Sequence, residues 1–151
     1  DRLYDPVFGE HSDVSGVGGT LSGNALALAA MRATLSSTLL ESDYARMIRL
    51  ATRWTDGVAE VMERAGLPWH VQQLGARAEY WFCPPPRNGG QAAAALDGDL
   101  EAYFHLFALN RGVLLTPFHN MALMSPVTSE ADVDRHTAVC AECVDSLVGA
   151  G

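Results

Sequence analysis

Apolar residues recur at intervals of three and four through Tyr44, Met47, Ile48, Ala51, Trp54, Val58, Val61, Met62 and Ala65. That spacing lines one face of an α-helix and predicts a helix over residues 43–65, capped by Ser42. Gly66 suits the position just past its end, and Pro68 reinforces the stop. The preceding stretch, from Ser22 or Asn24 to Leu40, carries small alanines on nearly every face. It predicts a strong helix with Asn24 as N-cap, slim enough to pack closely on both sides. From Trp69 the period drops to two. Trp69–Leu74 reads as a strand and Gly75 as a bend or bulge. Ala76, Ala78, Tyr80 and Phe82 then alternate along a second strand. Pro84-Pro85-Pro86-Arg87-Asn88-Gly89-Gly90 reads as a loop, a rigid spacer within the domain in preference to a peptide-binding motif. Leu100, Tyr103, Phe104, Phe107 and Ala108 predict a third helix, from Leu96 or Asp99 to Arg111, stopped by Gly112. Val113–Thr116 reads as a short buried strand and Pro117–Asn120 as a turn. Met121–Ser125 reads as another strand. The last helix starts after Thr128 or Ser129, whose Ser-x-x-Asp spacing approximates a capping box. Its apolar side runs through Val133, His136, Thr137, Cys140, Val144, Leu147 and Val148.

Strands come in neighbouring pairs rather than alternating singly with helices. The expected class is therefore α+β: a small, mostly antiparallel sheet with helices packed on one face. Residues 1–22 show no apolar period and many glycines, so they read as an arm lying on something else. The domain reading is an interfacial arm over 1–22, an interdomain helix over 23–40 and a small domain over 41–151.

Composition narrows the function classes. The chain has 151 residues and a net charge of −8. Nucleic acid and anionic membrane surfaces both call for basic stripes, so neither is an expected partner. No apolar run approaches a bilayer-spanning length, and no signal peptide is recognisable. Asp1 is not a start methionine, so chain upstream of it is expected. Three cysteines, Cys83, Cys140 and Cys143, make an odd count that suits a reducing, cytoplasmic compartment. Cys140 and Cys143 are one helical turn apart and read as packed thiols. No second CxxC or spaced histidine pair completes a metal site, and none is expected.

All ten basic side chains are arginines, so the chain holds no lysine. The run Gly18-Gly19-Thr20-Leu21-Ser22-Gly23-Asn24-Ala25 feeds a helix N-terminus, where free amides and the helix dipole favour an anion. It lacks the lysine of a Walker loop and does not follow a strand as a dinucleotide fingerprint does. Arg77 could grip a carboxylate, although Glu79 on the same strand face makes an ordinary ion pair the first reading. His119 lies in a turn and reads first as solvated, second as an acid or base. His70, His105 and His136 show no mutual metal spacing. Asp132 and Asp134 suit the start of the last helix through its dipole.

The Gly18–Ala30 run resembles the signature of class III, pyridoxal-phosphate-dependent aminotransferases, in the branch containing glutamate-1-semialdehyde aminomutase. Three further segments, Leu74–Phe82, Asn110–Pro117 and Met124–Asp134, resemble the family's small-domain motifs in order, so the likeness covers most of the chain. It implies the C-terminal part of a fold-type-I enzyme. It also implies that Gly19 and Thr20 contact the cofactor phosphate of the other subunit of a homodimer. The family's Schiff-base lysine, the aspartate on the pyridine nitrogen and the stacking aromatic all precede this motif. The implied partners are therefore a large cofactor-binding domain and a small amino-acid or keto-acid substrate, and the chain alone is expected to be inactive. The aminomutase subgroup carries a glutamate where Phe118-His119-Asn120-Met121 stands here. That departure favours amino transfer between an amino acid and a keto acid or aldehyde over isomerisation or racemisation. A free-standing, non-catalytic interaction domain is the alternative from another class.

Overall fold

A computed structural model describes residues 23–116 and 119–149. The chain divides into two compact units, Asp1–Leu39 and Leu40–Gly151. In the first unit, helix α1 spans Ala25–Ser37, and the Asn24 side chain accepts a hydrogen bond from the Ala27 N–H at 2.9 Å. The cap is the one expected, because asparagine offers an oxygen to an otherwise unpaired first-turn amide. None of the residues of α1 is buried.

The second unit runs α2 (Glu41–Arg64), β1 (His70–Leu74), β2 (Arg77–Trp81), α3 (Gly89–Ala94), α4 (Gly98–Leu109), β3 (Met121–Leu123) and α5 (Glu130–Gly149). The strands form one antiparallel sheet in the order β1-β2-β3. With α1, this is a small α+β fold of three strands and five described helices. Alternation places Ala78 and Tyr80 of β2 in the core beneath the helices. Around them gather Trp54 and Val58 of α2, Phe104 of α4, and Val133, Cys140 and Val144 of α5. Phe104 is the aromatic hub, with ring centroids 5.4 Å from Phe82, 5.7 Å from Tyr80 and 5.8 Å from Trp69.

Helix ends follow local chemistry. Past α2, Gly66 sits at a φ of 66°, a conformation that a Cβ disfavours. Its N–H reaches the Glu63 carbonyl, and the Leu67 N–H reaches that of Met62, closing a Schellman motif. At the start of α5, the Ser129 N–H and hydroxyl both donate to the Asp132 carboxylate. The Asp132 N–H donates back to the Ser129 hydroxyl at 3.2 Å. Those hydrogen bonds hold the Asp132 carboxyl below its ordinary pKa.

Several expectations are corrected. Ser42 does not cap α2. The N-cap position is Leu40, whose N–H donates to the Asp43 carboxylate at 3.3 Å. Tyr44 and Ile48 of the expected α2 face are exposed, whereas Leu50 is buried. Gly75 makes no bulge. Leu74 pairs with Arg77, so Gly75 and Ala76 form a two-residue hairpin turn, with Gly75 at a φ of 59°. The stretch expected as pure loop holds α3, started by Asn88, whose side chain accepts from the Gln91 N–H. Val113–Thr116 is not a strand. The Val113 N–H goes back to the Ala108 carbonyl at the end of α4, and Leu114 is 80% exposed. On α5, Val139 and Cys143 join the buried face, and Val148 stays out.

Candidate functional site

Gly19 and Thr20, the candidate phosphate ligands, lie outside the described residues. The other two candidates, Arg77 and His119, are brought together by a third residue. Arg77 and Glu79 are two apart on β2, so both side chains stand on the sheet face away from the helices. Arg77 Nη2 lies 3.6 Å from Glu79 Oε2, and His119 Nδ1 lies 3.3 Å from Glu79 Oε1. The Glu79 side chain is only 15% exposed, against about half for its two partners. The backbone behind His119 is tied down, because the Tyr80 N–H donates to the Asn120 carbonyl at 3.1 Å. Asn120 is buried, and its Oδ1 has no hydrogen-bond partner. Glu79 was visible in the sequence only as a neighbour of Arg77. Its approach to His119 depends on β3 pairing with β2, which no local spacing announces.

The arrangement sets a carboxylate between a guanidinium and an imidazole on the sheet face away from the helices. None of these three side chains is an activated nucleophile.

A cleft of about 290 Å³ lies on the other side of β3, lined by Trp54, Thr116, Met121, Asp132, Arg135 and His136 among others. Its charged members are already engaged. The Asp132 carboxylate accepts from the Ser129 N–H and hydroxyl, and Arg135 donates to the Arg111 carbonyl at 2.7 Å. Burial pushes the His136 imidazole down to about 4, so it is neutral at ordinary pH.

The cysteines are free, with Cys140 and Cys143 buried. Burial pushes both thiols up to about 12, which removes thiolate chemistry near neutral pH. Among the described residues no cluster of His, Cys, Asp or Glu could hold a metal, and no helix is long and apolar enough to cross a membrane.

No family model matches the chain. It is 35% identical over 130 residues to the glutamate-1-semialdehyde 2,1-aminomutase of Opitutus terrae, covering 85% of this chain and 31% of that protein. The namesake from Thermus thermophilus is 36% identical over 121 residues, covering 78% and 28%. Among solved structures, the fold superposes with a TM-score of 0.78 on a glutamate-1-semialdehyde aminomutase from Pseudomonas aeruginosa in complex with PMP. That match has 47% identity and covers 97% of this chain and 33% of the other. An omega-transaminase from Sphaerobacter thermophilus shares the fold at a TM-score of 0.63 and 22% identity, covering 87% and 30%. The chain spans about a third of the length of these relatives.

Proposed function

We propose, starting from the premise that the chain is the C-terminal-like part of a class III, pyridoxal-phosphate-dependent aminotransferase of the aminomutase-like branch, that it is the small domain of such an enzyme. Pyridoxal phosphate supplies the electron sink for amino transfer when bound. The residues of this chain do not fit that group as a self-sufficient site. There is no lysine to anchor it. The anchor therefore belongs to a larger, cofactor-binding portion, and the chain by itself is inactive.

In this reading the intact enzyme is a cytoplasmic homodimer that moves an amino group between an amino acid and a keto acid or aldehyde. Gly19 and Thr20 lend backbone N–H groups and a hydroxyl to the cofactor phosphate of the neighbouring subunit. Arg77 and His119 face the substrate, with Arg77 taking its carboxylate. The observation that supports the small-domain reading is 47% identity across 97% of the chain to one aminomutase, combined with coverage of only a third of it. The names of the curated relatives favour a second reading, isomerisation of an amino aldehyde. The absence of a carboxylate from residues 118–121 speaks for amino transfer instead.

The test is to sequence the reading frame upstream of Asp1 and assay the joined product. The expected result is a lysine-bearing portion and an enzyme that consumes an amino donor in the presence of a keto acid. An initiator codon immediately before Asp1 would overturn the reading.

A further inference from the structure

Strand register lays rows of side chains across the open face of the sheet. Leu74, Arg77 and Leu123 make one row, and Gln72, Glu79 and Met121 the next. Directly opposed side chains on neighbouring strands stand about 5 Å apart. In the first row a half-exposed guanidinium thus sits between two leucines that are 73% and 57% exposed.

Arg77 also differs from the arginines that brace the helices. Arg46 donates to the carbonyls of Pro126 and Thr128, Arg53 grips Asp134 with two nitrogens, and Arg111 holds Glu142. The Arg77 guanidinium makes no hydrogen bond among the described residues; its contact with Glu79 is an ion pair at 3.6 Å. A guanidinium has a planar fork of donors that matches one carboxylate, and here that fork makes a 3.6 Å ion pair with Glu79 but no hydrogen bond.

We infer that the Leu74–Arg77–Leu123 row binds a monocarboxylate with an apolar body, and that Glu79 sets this selectivity. The identification of that ligand as the substrate amino or keto acid rests on the aminotransferase reading above. The incoming carboxylate takes the donors of Arg77 that no hydrogen bond occupies, and the two leucines cover the hydrocarbon. Glu79, still beside His119, keeps its negative charge next to the bound anion. Its low exposure leaves that charge poorly screened by solvent. A dicarboxylate, which would bring a second anion against Glu79, is repelled.

The experiment is a titration of the 151-residue chain followed by NMR, reading the Arg77 Nε–H and the methyls of Leu74 and Leu123. The probes are 4-methylvalerate and glutarate. The expected result is saturable shifts of all three groups with 4-methylvalerate and roughly tenfold weaker binding of glutarate, the scale of one unfavourable charge contact near a surface. Arg77→Met should abolish both responses. Glu79→Gln should bring glutarate close to 4-methylvalerate without weakening the latter. No saturable shift, equal affinities in the unaltered chain, or binding that survives Arg77→Met would each overturn the inference. The aminotransferase reading fails separately, on the upstream sequence, and selective probe binding would then stand as a property of this face.

Discussion

His136 shows how one buried side chain ties stability to pH. Its ring lies 5.1 Å from that of Trp54, and its Nδ1 has no hydrogen-bond partner. Burial lowers its pKa from 6.5 to about 4. Between those values the unfolded chain binds a proton that the folded chain refuses, so stability falls as pH drops from 6.5 towards 4. The full contribution is present above 6.5 and amounts to about 3 kcal/mol lost on crossing the window. Urea unfolding at the two ends of that window should show the difference, and His136→Phe should flatten most of it. Cys140 and Cys143 act at the other end of the scale. Their folded pKa of about 12 exceeds the ordinary 9.0, so stability is lost as pH rises past 9.0 and unfolded thiols ionise. Near neutral pH a thiol reagent should label Cys83, which is partly exposed, well before the two buried thiols. Equal rates at all three in the native protein would contradict the packing described for α5.

One close contact between α2 and α5 depends on an absent Cβ. On α2, a Cβ at Gly57 would lie 2.9 Å from both Cγ2 and Oγ1 of Thr137 on α5. Thr137 cannot easily yield, because its hydroxyl donates to the Val133 carbonyl at 3.1 Å. Gly57→Ala should therefore destabilise by about 1–3 kcal/mol, the usual cost of overpacking, and Thr137→Ala in the same chain should recover part of it. Thermal unfolding of the two single variants and the double variant would check both signs. Ser129→Ala removes the cap of α5 and should cost about 1 kcal/mol. These elements were legible in sequence because their determinants are local. The three-and-four spacing from Met47 to Met62 showed most of the α2 face, and Ser129-x-x-Asp132 showed the start of α5. Val113–Thr116 misled because a short apolar run does not say whether a partner strand exists. The helix α3 was hidden behind the proline run, although Asn88 before Gly89 is an ordinary cap.

At the scale of the whole molecule, the α+β class followed from the neighbouring pair β1 and β2, although the second expected pair keeps only β3, and family resemblance supplied what periodicity could not. The proposed site was only half legible. Arg77 and Glu79 share a strand face by simple alternation, whereas His119 reaches Glu79 through the pairing of β2 with β3. Pairing between distant segments leaves no spacing signal in one sequence. The central claim is that this chain is a part of a pyridoxal-phosphate enzyme and, having no lysine, carries no side-chain amine to anchor the cofactor covalently. The most direct measurement is the near-ultraviolet and visible spectrum of the purified 151-residue chain after incubation with pyridoxal phosphate and gel filtration, with its intact mass recorded alongside. The account predicts a mass matching the 16.2 kDa chain and no retained cofactor absorbance. A cofactor band that stays with a chain of that mass, even with its N-terminal amine blocked, would contradict it.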